Sequence, residues 1–181
     1  MIKQMTVAVI GASIAMLFFA VQPVAGQDVP VLSDTKRRSI VENCSTIRTS
    51  LSQLHTNDSL LRVNRGQIYA SLSSDFMAKL NSRIALNRLD ASDLVSVTTQ
   101  YESHHADFRV AYQEYSDELL ALMRIRCDER PDAFYAKLLE VRQKRTTLHQ
   151  SVKQLNGDIA EYTTAFSEFR ADYMKQEVAN E

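Results

Sequence analysis

Apolar residues recur along the second half of the chain in alternating steps of four and three, the spacing of a heptad repeat. The earlier stripe consists of Leu94, Val97, Tyr101, His105, Phe108, Tyr112, Tyr115, Leu119 and Leu122. The later stripe consists of Phe134, Leu138, Val141, Leu148, Val152, Leu155, Ile159, Tyr162, Phe166, Phe169 and Tyr173, with Arg145 at the remaining seam position. These stripes predict two long helices, over about residues 90–126 and 131–176, with left-handed packing.

Start signals for helices stand in front of both stripes. Asp90 is placed as an N-cap, and Asp93 adds an acid to the first turn. Pro131 suits a first helical turn, where its missing N–H is no loss. The connections before Asp90 and before Pro131 are short, so consecutive helices should be antiparallel neighbours.

The first part of the chain contains a stretch that reads like a turn, because residues 55–58 are weak helix formers and Gly66 follows soon after. The alternation nevertheless keeps its phase through this stretch: Ile40, Cys44, Ile47, Leu51, Leu54, Asp58, Leu61, Arg65, Ile68 and Leu72. A preserved phase favours one continuous helix over about 33–87. The alternative is a break near Asn57. Beyond Leu72 the stripe shifts by one place to Phe76, so the supercoil should relax there.

The fold class predicted from these patterns is all-α. We expect an elongated antiparallel three-helix coiled-coil bundle over residues 33–177, with a short tail at 178–181. The alternative with a break near Asn57 is a four-helix bundle. Only four Gly and three Pro occur in 181 residues, which agrees with long helices.

The first 26 residues have the order of a secretory signal peptide. Lys3 is followed by an apolar run over residues 5–21 and by small residues ending at Gly26, after which we expect cleavage. Residues 27–32 form a polar linker. The competing interpretation is an uncleaved N-terminal membrane anchor, with residues 5–21 as the only membrane contact. Both interpretations predict export to the cell envelope, the cell surface or the medium.

Net charge excludes one class of partner. Lys3 is the only basic residue among the first 26, so 20 of the 21 Lys and Arg remain against all 22 Asp and Glu. A chain this close to neutrality is not a nucleic-acid binder that relies on bulk charge.

The two cysteines predict a disulfide in an exported chain. If the first two helices fold back near residue 89, a short extended stretch after Arg126 brings Cys127 to the level of Cys44. A four-helix arrangement would place the two residues about 16 Å apart, too far to bond. The alternative to a Cys44–Cys127 bond is two buried thiols.

Three charged residues interrupt the apolar seams: Asp58, Arg65 and Arg145. Unpaired buried charge is unfavourable by several kcal/mol, so we expect a paired polar layer or long side chains that reach solvent. The alternative is an anion or partner site lined by arginines. The predicted layer consists of Asp58, Arg62, Arg65, Glu114, Glu118 and Arg145.

The sequence offers no pattern for catalysis. Glu102 and His105 form one Glu-x-x-His unit, but a dicarboxylate metal site needs a second copy and two further glutamates. Gly-flanked serines and Gly-rich phosphate loops do not occur in the sequence. We therefore expect a non-enzyme with no metal and no cofactor.

The stretches "NDSLLRVNRGQIY", "LNSRIALNRLDASDL" and "CDERPDAFYAKLLEVRQKR" resemble an exported helical coiled-coil family of the Saccharibacteria and related Patescibacteria, over most of residues 40–175. The resemblance implies an envelope or cell-surface setting. It carries over no activity, cofactor or ligand.

Export, rigidity and length without a reaction centre predict a structural or protein-interaction module of the cell envelope, with another envelope or surface protein as partner. The alternative is a periplasmic-type chaperone or a ligand-sensing helical module. A heptad seam serves packing within and between chains alike, so a homo-oligomer is compatible with the sequence.

Overall fold

The computed structural model describes residues 32–179, with side chains up to residue 176, and every element in this range is helical. The elements are α1 (Asp34–Glu42), α2 (Cys44–Ser71), a π-helical segment (Leu72–Met77), α3 (Ala78–Leu86), α4 (Ser92–Arg124) and α5 (Pro131–Ala179). The all-α prediction is confirmed. The predicted signal, most of the linker and the last two residues of the tail lie outside the described residues.

Helix α2 runs through Asn57 and Gly66 without interruption, as the preserved phase favoured, so the alternative of a break near Asn57 is wrong. A single residue, Asn43, separates α1 from α2, and its backbone N–H donates to the carbonyl of Ser39 at 3.1 Å. Ser33 caps α1, accepting a hydrogen bond from the backbone N–H of Lys36. The first segment therefore ends near the predicted residue 87, but it is not one uniform helix.

The predicted register shift after Leu72 coincides with the π-helical segment. A π turn holds more residues than an α turn, so it moves the buried face of the helix by about one position. Met77 is consequently 1% exposed, while Phe76, which the repeat placed in the seam, is 51% exposed. The position of the shift is confirmed and the assignment of Phe76 is wrong.

The heptad seam predicted on α2 also drifts before it reaches Leu72. Ile68 is exposed, and Tyr69 is buried in its place. On a straight helix at about 100° per residue, Tyr69 lies within about 20° of Cys44, whereas Ile68 lies about 120° away. The buried face of α2 thus follows a 3.6-residue period rather than the 3.5-residue period of a supercoil.

Helices α4 and α5 form the closely packed pair of the structure, and their predicted stripes are confirmed as the buried or half-buried faces along nearly their whole length. The exceptions on α5 are Tyr173 and the seam residue Arg145, which are both exposed. Helix α4 starts later than predicted: Ala91 is the N-cap, and Asp90 accepts a hydrogen bond from the Ser92 N–H at 2.9 Å.

The buried side chains form two separate cores. The disulfide-end core contains Cys44, Tyr115, Leu119, Leu122, Cys127, Phe134 and Val141. The distal core contains Tyr69, Met77, Ile84, Leu94, Val97, Tyr101, Phe108, Leu155 and Tyr162. Leu148 packs against both.

A disulfide joins Cys44 at the start of α2 to Cys127 in the connection after α4, with the two Cα atoms 5.5 Å apart. This confirms the predicted pair. At the same end, the Arg37 guanidinium donates to both carboxylate oxygens of Asp132, at 3.1 and 2.9 Å. These contacts fasten the N-terminal end of the first segment to the α4–α5 connection and the start of α5.

A buried polar network ties three helices together in the distal core. The Asn81 side-chain amide donates to Thr98 Oγ1 at 2.8 Å, and its carbonyl oxygen accepts from the Tyr162 hydroxyl at 2.9 Å. Thr98 Oγ1 donates in turn to the Leu94 carbonyl. Because each group has its partner, the network fixes the relative position of α3, α4 and α5 without an unsatisfied polar atom.

Candidate functional site: an arginine groove in the middle of the bundle

A groove of about 420 Å³ opens between α2 and α5, with α4 as its floor. No Cα atom of α2 lies within 8 Å of a Cα atom of α5, so these two helices leave a slot instead of packing closely. Asp58, Arg62 and Arg65 line the α2 side, and Arg145 and His149 line the α5 side. We call this the arginine groove.

The arginine groove lies where the two cores are interrupted. Its charged residues Asp58, Arg65 and Arg145 are the three seam positions at which the apolar repeat fails. Charged side chains cannot be buried there without a high desolvation cost, so the helices do not close over them. The interruption visible in the sequence therefore becomes an opening in the structure.

Asp58 is held by a tyrosine and not by an arginine. The hydroxyl of buried Tyr115 donates to Asp58 Oδ2 at 2.6 Å. Burial raises the pKa of Tyr115 above its ordinary value, and the hydrogen bond to Asp58 adds to the shift. The phenol therefore remains a neutral donor at any physiological pH, and it fixes Asp58 at the edge of the disulfide-end core.

The arginines of the groove are exposed to solvent. The Arg62 guanidinium lies over the Tyr112 ring, with its carbon 4.8 Å from the ring centroid, a cation–π geometry. Among the described residues, no ion pair or side-chain hydrogen bond engages the guanidinium of Arg62, Arg65 or Arg145. The three guanidinium groups remain open to a ligand.

The prediction of a buried, paired layer is wrong for the arginines and for the two glutamates. Glu114 accepts from Lys144 at 2.9 Å and Glu118 accepts from Lys137 at 2.9 Å, in pairs that join α4 to α5 outside the groove. Lysines on α5 thus satisfy these acids, while the long arginine side chains reach solvent. This leaves the predicted alternative of an arginine-lined anion or partner site open.

The structure thus brings four of the six predicted residues into one site: Asp58, Arg62, Arg65 and Arg145. Sequence reasoning missed the contribution of Tyr112, Tyr115 and His149, which also line the groove. The tyrosines belong to the α4 stripe, which the heptad spacing predicts as core. His149 could have been found, because it follows Arg145 by four residues and lies on the same face of α5.

Electrostatics favour an anion in the groove. Three guanidinium groups stand against one carboxylate, a net charge of about +2 with His149 neutral. The floor is apolar and aromatic, since Phe108 and Tyr112 are buried beneath the charged rims. The arrangement can bind a ligand that combines negative charge with an apolar group.

A second polar cluster has a structural role. Asp158 is buried on α5, and it accepts from Gln100 Nε2 at 2.9 Å and contacts His104 Nδ1 at 2.7 Å. His105 instead lies among aromatic rings, stacked on Tyr101 and Phe108. Within residues 32–176, no group of three or more His, Cys, Asp or Glu side chains is arranged to hold a metal ion.

Comparison with known proteins assigns the chain to no family and gives it no function. The chain matches no family model, no curated protein and no solved structure. The resemblance to the exported Saccharibacteria family stays a prediction. Among the helices of residues 32–179, none combines the length and the hydrophobicity that a transmembrane span requires.

Proposed function

We propose that this chain is an exported, non-enzymatic helical protein of the cell envelope or surface, and that it acts as a protein-interaction module. The observation that carries the proposal is the arginine groove, an open cationic slot with an aromatic floor in the middle of the bundle. Arginine and tyrosine are the residue types enriched at protein interfaces and their hot spots.

Two further features support the proposed export to the cell envelope or surface. The signal-like N-terminus predicts export, and the Cys44–Cys127 disulfide is compatible with an oxidising compartment. The disulfide and the Arg37–Asp132 contact hold the helices together at one end of the bundle, so the groove lies next to a rigid end.

The groove chemistry favours binding over catalysis. Guanidinium groups keep their protons at any physiological pH, so the arginines cannot act as acids or bases. The Tyr115 phenol is buried and already donates to Asp58. No serine, threonine or cysteine lines the groove, so His149 has no side-chain nucleophile there to activate.

The test is cross-linking of the tagged protein in its native cells, followed by mass spectrometry of the proteins that co-purify from the envelope fraction. We expect one dominant envelope protein and a mature N-terminus after Gly26. Recovery of self-links alone would contradict the interaction module and indicate a structural homo-oligomer. A protein found only in the cytosol would contradict export.

A chaperone is the second candidate, because the first segment exposes large apolar side chains near the groove. Leu60, Leu61, Val63, Ile68 and Phe76 are each more than half exposed. A surface of this kind can hold unfolded clients. Suppression of aggregation of an unfolded envelope protein at equimolar dose would support the chaperone, and no effect at that dose would exclude it.

A further inference from the structure

We infer that the arginine groove binds an acidic peptide segment of a partner protein, in which carboxylates flank one large apolar or aromatic side chain. The inference deepens the proposed function, on which it rests for the source of the ligand. It names the chemistry that the partner must present.

The positions of the charges define where the carboxylates bind. Arg62 and Arg65 lie on α2 three residues apart, so they are separated by about one helical turn along one wall. Arg145 stands on α5 at the opposite wall. A ligand in the slot therefore meets positive charge on both sides, and each guanidinium can hold a carboxylate through two parallel hydrogen bonds.

The apolar lining of the groove defines what lies between the carboxylates. Leu61 lines the groove and is 55% exposed, and Phe108 and Leu148 lie below the charged rims. The volume of about 420 Å³ falls within the range of ordinary ligand pockets. An apolar or aromatic side chain inserted there would remove apolar surface from water.

A peptide fits the groove better than a lipid does. An acyl chain requires an enclosed apolar cavity along its length, whereas this groove is open to solvent and carries charge on both walls. A peptide that crosses the slot presents carboxylates on both sides of an apolar anchor. An amphiphile with one anionic head would engage one wall only.

Fluorescence anisotropy with a defined probe tests the inference. The probe is a fluorescein-labelled peptide in which two glutamates stand on each side of one phenylalanine. We expect binding to the purified protein that weakens as salt is added, since the pairs are exposed. Peptides with lysine in place of glutamate, or serine in place of phenylalanine, should bind at least about tenfold more weakly.

Matched variants separate the groove from general charge. Arg145→Gln and Arg65→Gln should each weaken binding of the probe by about fivefold to tenfold. Arg142→Gln and Arg48→Gln remove exposed arginines from the same two helices outside the groove, and they should leave binding unchanged.

A second pair of variants tests the apolar lining of the groove without removing a buried side chain. Leu61→Ser should weaken binding of the probe, because Leu61 lines the groove. Leu60→Ser should not, because Leu60 is exposed outside it. Equal effects of the two substitutions would contradict a contact with the apolar lining and overturn the inference.

Three further outcomes would overturn the inference. They are no binding of the probe at millimolar concentration, equal losses in the Arg145 and Arg142 variants, and binding of phosphatidylglycerol vesicles without binding of the peptide. The proposed function is tested separately, by the capture of one envelope partner in cells. If a single envelope partner is cross-linked in cells and groove variants do not weaken its capture, the interaction module stands and the groove assignment is wrong.

Discussion

Reduction of the Cys44–Cys127 disulfide should destabilise the protein strongly. The bond joins residues 83 apart in sequence, and both cysteines are buried. In the chain-entropy model, a cross-link that closes a loop of this length stabilises the folded state by about 4.5 kcal/mol. Domains are typically stable by about 5–15 kcal/mol, so the bond accounts for a large share of the stability.

Urea denaturation followed by circular dichroism measures the effect. With a denaturant slope of about 2 kcal/mol per molar, the loss corresponds to a decrease of about 2 M in the midpoint. The Cys44→Ala, Cys127→Ala double variant should unfold near the midpoint of the reduced protein. Added reductant should not move the midpoint of that variant.

Because the disulfide lies at one end of the bundle, its reduction should loosen that end first. Helix α1 packs only against neighbouring parts of the disulfide end, so its amides should lose protection from hydrogen exchange before those of α3 do. A midpoint shift below about 0.3 M, with both thiols shown to be free, would refute the loop-entropy reasoning.

Three smaller perturbations test the packing, each by urea denaturation. Tyr162→Phe removes the donor to buried Asn81 and should lower the free energy of unfolding by about 1–2 kcal/mol, while Tyr173→Phe, at an exposed position, should have little effect. Gly66→Ala should raise it by about 1 kcal/mol, since a Cβ there meets no atom within 4 Å; an unchanged midpoint would contradict a fully helical α2 at this site. Burial lowers the pKa of His105 below its ordinary 6.5. The unfolded chain then binds a proton at this histidine more readily than the folded chain does. The stability that neutral His105 contributes is therefore present above pH 6.5, and it is lost as the pH falls through the pKa of His105 in the folded protein. His105→Gln should make the midpoint less sensitive to acid, and an identical pH profile would contradict this.

The sequence predicts α4 and α5 well because the apolar spacing and the helix starts agree for both helices. Apolar residues hold the heptad spacing, and the two helices begin at Ser92 and Pro131, within two residues of their predicted starts. The disulfide was predictable because the antiparallel arrangement of long helices fixes which positions lie at the same height. These features depend on periodicity and length, which a sequence displays directly.

The first segment was predicted less accurately because two helical periods compete in it. The 3.5-residue repeat selects Ile68 and Phe76, whereas the straighter helix and its π turn bury Tyr69 and Met77. Nothing in the residue types distinguishes these choices, since all four are large and apolar. Packing against α4 decides between them.

The candidate site was predicted in part. The interrupted seam positions identified Asp58, Arg65 and Arg145. The predicted arginine partners of Glu114 and Glu118 were wrong, because flexible lysines on α5 reach these two glutamates instead. Side-chain pairing at a surface follows small energy differences that spacing does not encode. Whether a charged layer closes or opens is likewise decided by three-dimensional packing.

Site-specific photo-cross-linking in native cells tests the central claim most directly. A photoreactive amino acid replaces either Leu61, in the groove, or Val95, exposed on α4 outside it. We predict that one envelope protein is captured at position 61 and not at position 95, and that the added Arg65→Gln and Arg145→Gln substitutions abolish capture. Equal capture of many proteins at both positions, or capture of this chain alone, would contradict the account.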